Sequence, residues 1–139
     1  MSITRSSHRD GAKAFIQRGS EVLVTRERRS DGSIYYSLPG GGIEPGESTH
    51  DAVKRELSEE LGCAGTVGNC LGSCSYTHQS IDATTEYELF AVRLHGEPAP
   101  DEREGIVGVE WHRPAAVPEL MLDPLAEAVR QTTSPAAPK

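Results

Sequence analysis

The chain of 139 residues reads as an α/β protein in which a mixed β-sheet is covered by helices on both faces. Three features predict this. Segments with strand character and helix-start signals follow one another in the order strands, helix, strands, helix. A glycine-rich loop, Gly40-Gly41-Gly42, feeds the first helix, and Asp123 followed by Pro124 opens the second. The length suits one domain with a buried core and is too short for two.

Taken in order, residues 1–10 are polar and read as a flexible N-terminus, and residues 11–131 form the single domain. Ala14 to Gln17 and Glu21 to Thr25 are apolar runs around a short turn containing Gly19, which predicts a hairpin. Arg26 to Ser33 reads as a loop with three arginines, of which Arg28 is a candidate for phosphate contact. Ile34 to Ser37 is a short strand delivering the chain into the glycines, which allow backbone to approach a ligand closely. Ser48 followed three residues later by Asp51 is a capping-box pattern, and Gly62 is a left-handed terminator, so a helix is predicted over about 49–61. Strands follow at about 66–77 and 85–94, paired as neighbours across a polar loop, and at 106–111 after an acidic, proline-containing loop. A C-terminal helix runs from Asp123 to about Gln131, and residues 132–139 read as a disordered tail.

On the first helix Glu56, Glu59 and Glu60 stand at i, i+3 and i+4, so their carboxylates fall within an arc of roughly 100°. Val53, Leu57 and Leu61 form the neighbouring apolar stripe. Like charges so arranged repel unless something positive sits among them. A hard divalent cation such as magnesium, held by a few carboxylates, waters and substrate phosphates, would meet that need. Lys54 and Arg55 offer the alternative of a solvated, internally balanced face.

Gly41, Glu47, Arg55-Glu56-Leu57, Glu59-Glu60 and Gly62, at their spacing, resemble the Nudix box, which here runs from Gly41 to Cys63. The departure is Cys63, where the family has an aliphatic residue; cysteine packs as a small hydrophobe. Tyr36 to Gly41 also resembles the aromatic and Leu-Pro-Gly-Gly that precede the box. The resemblance implies a Nudix-type α/β/α sandwich. It also implies hydrolysis of a nucleoside diphosphate linked to another group, with magnesium, or manganese as a substitute. Carried over position by position, it implies metal binding by Glu56, Glu59, Glu60 and the Gly40 carbonyl. Arg55 would orient the carboxylates with Glu47 pairing to it, and Glu56 would double as a base in some members.

Beyond the box, the acidic loop Asp101-Glu102-Arg103-Glu104 resembles the position from which many Nudix enzymes borrow a glutamate, and Glu104 is the candidate. Tyr36, Tyr76 and His78, with Tyr35, Tyr87 and Phe90, are candidates for substrate contact, against the plainer reading that so few aromatics belong to the core. The marks of the ADP-ribose, diadenosine-polyphosphate and NADH subfamilies are not recognisable. What remains resembles small members acting on nucleoside triphosphates or related nucleotides. The other readings are a catalytically silent Nudix-fold module that binds a nucleotide or regulates a partner, and a Nudix-fold isomerase. The first usually loses box carboxylates that this chain keeps, and the second needs catalytic residues not evident here.

Composition excludes several classes. The net charge of −7 argues against broad binding to extended nucleic acid, which needs a basic surface. No long apolar run or signal-peptide core is present, which predicts a cytoplasmic protein with no membrane partner. Cys63, Cys70 and Cys74 form no even disulfide framework. Cys70 and Cys74 would stand about 13 Å apart on one strand, so buried free thiols are expected. The oligomeric state, monomer or homodimer, is left open.

Overall fold

The end signals of the first helix act as written in the sequence. Helix α1 spans Thr49–Leu61, the Ser48 hydroxyl accepts a hydrogen bond from the Asp51 amide at 3.0 Å, and Gly62 ends the helix at φ 58°. Residues 7–78, 83–118, 121 and 123–132 are described by a computed structural model of the chain. Its strands are β1 Ser7–Arg18, β2 Glu21–Arg28, β3 Ile34–Ser37, β4 Gly40–Gly42, β5 Gly65–His78, β6 Ala83–Leu94 and β7 Ile106–His112, and helix α2 is Asp123–Gln131.

The strand order is β3-β2-β1-β6-β5, with β4 added to β1 and β7 to β2. β1 runs parallel to β6, while the other pairings are antiparallel, so the sheet is mixed as expected. β1 joins β2 only at the hairpin end, through Gln17 opposite Val22 and Arg18 opposite Glu21. Beyond that pair the sheet splays into two halves, one holding β1, β4, β6 and β5 and the other β2, β3 and β7. The box loop and α1 sit where the halves part, because β3 belongs to one half and β4 to the other.

Each face carries one helix. Val53, Leu57 and Leu61 of α1 pack on Ala12, Ala14, Ile16, Phe90 and Val92. Leu125, Ala126 and Val129 of α2 pack on Phe15, Val22, Val24, Leu38 and Leu89. Full burial of a leucine such as Leu57 or Leu61 is worth roughly 1.5–3 kcal/mol, so the apolar stripe rather than helix propensity anchors α1. The alternation along β1, Ala12 and Ala14 to one face and Lys13 and Phe15 to the other, follows from the strand period of two.

Several expectations are corrected. Ser7 to Asp10, read as loose, are the first residues of β1, because polar residues there pair with the equally polar start of β6; residues 1–6 lie outside the described residues, as do 133–139. The arginine loop is shorter than expected, since Arg26, Glu27 and Arg28 continue β2 opposite β3. The glycine loop itself contains β4. Of the three free cysteines only Cys63 is buried; Cys70 is exposed and Cys74 intermediate. A 14-residue strand at the sheet edge shows one side to solvent, and the register shifts near Cys70 turn that residue outward.

Candidate active site

Arg55, about two turns into α1 and just before its carboxylate face, is the centre of the site. Its Nε donates to Glu47 Oε2 at 2.7 Å and its Nη2 to Glu47 Oε1 at 3.0 Å, a bidentate pair. Nη2 also donates to the Gly42 carbonyl at 3.0 Å, and Nη1 reaches Glu56 Oε2 and Glu59 Oε1, each at 3.2 Å. The guanidinium therefore ties the loop before the helix to two carboxylates on it. Glu47 is fixed further by the Glu44 amide at 3.0 Å. The Arg55 hydrogen bonds, followed by the Glu44 amide, hold the Glu47 carboxyl down at about 2.

The positive group among the carboxylates is thus Arg55. Glu56 is largely covered, with its carboxylate laid against Gly41: a Cβ there would come within 2.6 Å of Glu56 Oε2. Glu59 keeps 44% of its side-chain surface exposed. Glu60 turns the other way and accepts a hydrogen bond from the Gly40 amide at 3.0 Å. Burial pushes the Glu60 carboxyl up to about 9; Lys13 opposes the shift, and Glu27 and Glu56 add to it.

Sequence reasoning missed Lys13 and Glu27. Lys13 is only 6% exposed, and its Nζ donates to Leu38 O at 3.1 Å, Ser37 Oγ at 3.2 Å and Gly40 O at 3.3 Å. Burial works against its charge, yet Glu27, Tyr87, Glu60 and Glu56 around it hold its pKa above the ordinary lysine value. Glu27 accepts from Thr25 Oγ1 at 2.7 Å and from the Tyr35 hydroxyl at 2.8 Å. The available signal was a charged residue inside an apolar strand, Ala12-Lys13-Ala14, which demands partners when buried.

The other expected residues are spread along the sheet. Glu104 is exposed in a single 3₁₀ turn, Glu102–Glu104, that follows the bond from the Asp101 amide to the Glu60 carbonyl at 3.0 Å. Arg28 is exposed at the end of β2, its amide bonded to the Gly105 carbonyl beside that turn. Tyr36 is half-buried and donates to Glu110 Oε2 at 3.1 Å. Tyr76 is half-buried on β5 opposite Thr85. His78 closes β5, and its side chain lies outside the described residues.

A cleft of about 370 Å³ opens at the N-terminal end of α1, lined by Asp10, Ile43, Thr49, Glu86 and Glu88 among others. A more apolar one of about 500 Å³ lies between β5, β6 and the end of α2 and touches no box residue, so size alone does not mark the site.

Among the described residues no three His, Cys, Asp or Glu side chains converge as a metal-binding group. The donors present are carboxylates and backbone carbonyls, and one carboxylate is half open to solvent. Such a set fits a hard cation completed by water and phosphate oxygens, and does not fit a closed cage.

The sequence pattern of the NUDIX domain matches residues 7–133. A CTP pyrophosphohydrolase of Escherichia coli is 41% identical over 119 residues, covering 83% of this chain and 81% of the relative. NAD-capped RNA hydrolase NudC of Pseudomonas aeruginosa is 31% identical over 106 residues; that match covers 76% of this chain and 36% of the larger protein. The crystal structure of a MutT NUDIX hydrolase from Burkholderia pseudomallei has a TM-score of 0.80 at 25% identity, over 91% of this chain and 99% of that one. The chain belongs to the Nudix hydrolase family, whose reaction is hydrolysis of phosphoric anhydride bonds.

Proposed function

We propose that the protein is a magnesium-dependent pyrophosphohydrolase of small nucleotides, with a nucleoside triphosphate as the substrate and a nucleoside monophosphate and pyrophosphate as the products. The observation that carries this reading is the Arg55 network, which holds Glu56 and Glu59 and leaves Glu59 partly open to solvent while Glu47 and Gly42 lock the guanidinium. A binding module has no need of that arrangement. The relative named for CTP, which matches along most of both chains, supports a triphosphate.

Glu56 and Glu59, with Glu60 and the Gly40 carbonyl at the loop end, would hold the cation, for which manganese can substitute. When bound, it would neutralise phosphate oxygens and help generate the attacking hydroxide. Arg55 bridges Glu56 and Glu59 through one nitrogen, screens their mutual repulsion and orients them. Glu104 receives the proton of the attacking water, and Arg28, Tyr36, Tyr76 and His78 contact the nucleotide. The free thiols suit the reducing cytoplasm, and no helix among the described residues is long and apolar enough to cross a membrane.

The test is product analysis over nucleoside triphosphates, oxidised guanine nucleotides, ADP-ribose, sugar nucleotides, dinucleotides and NAD-capped RNA, with magnesium and then manganese. The expected result is pyrophosphate release from one or more triphosphates. Exclusive turnover of ADP-ribose, a dinucleotide or capped RNA would overturn the substrate class while leaving the hydrolase intact.

A further inference from the structure

The segment Ser37 to Gly40 crosses from one half of the sheet to the other and is buried throughout. Between strands it has no continuous ladder to satisfy its carbonyls. The Pro39 carbonyl is met by the Ala14 amide at 2.8 Å. The carbonyls of Leu38 and Gly40 and the Ser37 hydroxyl oxygen all accept from the Lys13 ammonium, at 3.1, 3.3 and 3.2 Å, and the Ser37 hydroxyl in turn donates to the Leu38 carbonyl at 3.4 Å. A lysine ammonium has three N–H donors, and three acceptors of one four-residue segment take them.

The segment also has no room to settle elsewhere. Gly40 stands at φ 137°, and a Cβ there would lie 2.1 Å from the Ala12 carbonyl oxygen. Its amide is the donor that fixes Glu60. Both polar groups of the Gly40 backbone are therefore committed, one to Lys13 and one to a box carboxylate.

We propose that Lys13 is a positioning residue for the metal-binding end of the site, acting through Gly40. The buried ammonium pins the crossing segment to β1, so that the Gly40 carbonyl and the Glu60 carboxylate keep a fixed relation, and it supplies a permanent positive charge between Glu27, Glu56 and Glu60. It touches neither substrate nor the reacting atoms. The inference rests on the metal-dependent reading given above and adds to it a residue outside the box.

The experiment is Lys13→Met, which keeps the length of the side chain and removes its donors and charge, with Mn²⁺ binding followed by calorimetry on the folded protein alongside kcat and KM. Loss of a support behind a metal ligand costs about tenfold or more, so Mn²⁺ should bind about tenfold more weakly and kcat should fall by a similar factor, with KM nearly unchanged. Val129→Ala, in the core on the α2 side, lowers thermal stability without reaching the site and should leave Mn²⁺ affinity at the parental value. If Lys13→Met resembles Val129→Ala, with lower stability and parental Mn²⁺ affinity, the inference is overturned. Should Lys13→Met fail to fold, Ser37→Ala decides: removing one of the three acceptors should weaken Mn²⁺ binding by about fivefold, the factor that corresponds to one hydrogen bond of about 1 kcal/mol, and unchanged affinity overturns the proposal. Glu59→Gln, run in parallel, separates the two claims. If it too leaves Mn²⁺ binding untouched, the metal site itself is misplaced.

Discussion

Glu60 has a carboxyl that folding removes from water, 8% exposed and bonded to the Gly40 amide. Its folded pKa of about 9 lies above its unfolded value near 4.5, so ionising it costs stability in the folded state. That stability is fully present below the unfolded value and is lost as pH rises through about 9. Glu47 works in the opposite sense, since its carboxyl is held near 2 and its stabilisation disappears only as pH falls toward that value. The metal-free protein should therefore lose thermal stability between about pH 4.5 and 9, and the slope should flatten in Glu60→Gln. An equally steep slope in the mutant would assign the loss to other groups. At this scale spacing on a capped helix was informative about Glu56 and Glu59, which share one face, while the pairing of Arg55 with Glu47, which precedes the helix, was an implication of the resemblance to the box. It was silent on Lys13 and Glu27, because nothing in one strand says which residue of a distant segment will face it.

Helix α1 depends on its ends. The cap from Ser48 to the Asp51 amide is at the exposed entrance of the helix, and its removal in Ser48→Ala should cost about 1 kcal/mol, read as a fall in melting temperature. Glu59 and Glu60 lie in the last turns, held by Arg55 and Gly40, so turnover at a temperature where the mutant stays folded should hold near the parental rate. A mutant of unchanged stability would show that the apolar stripe alone sets the helix start. Strands with apolar runs, such as Ala14 to Gln17 and Glu21 to Thr25, were legible from periodicity. The polar start of β1, the end of β2 and the glycine strand β4 were not. Each of these is made by pairing with a partner strand rather than by side-chain preference, and Gly40–Gly42 owes its strand form to the close approach of Gly11–Lys13.

For the whole molecule, the order of elements sufficed to predict a mixed sheet with a helix on each face. The splay of the sheet into two halves was not predictable, since it follows from β1 leaving β2 after two residue pairs at the hairpin end. That splay places the box where Lys13, Gly40 and the α1 carboxylates meet. On the proposed reading, substrate choice falls to Arg28, Tyr36 and Tyr76 on β2, β3 and β5, which the box does not specify. The central claim is that the α1 carboxylates perform metal-dependent hydrolysis of a nucleotide anhydride, and Glu59, with 44% of its side chain exposed against 13% for Glu56, is the more open of the two that Arg55 holds. The most direct measurement is magnesium-dependent turnover of the best triphosphate by Glu59→Gln, with folding and nucleotide binding checked in the same preparation. Activity should fall by at least about a hundredfold while the fold and nucleotide binding persist; a folded Glu59→Gln protein as active as the parent would contradict the assignment of the site.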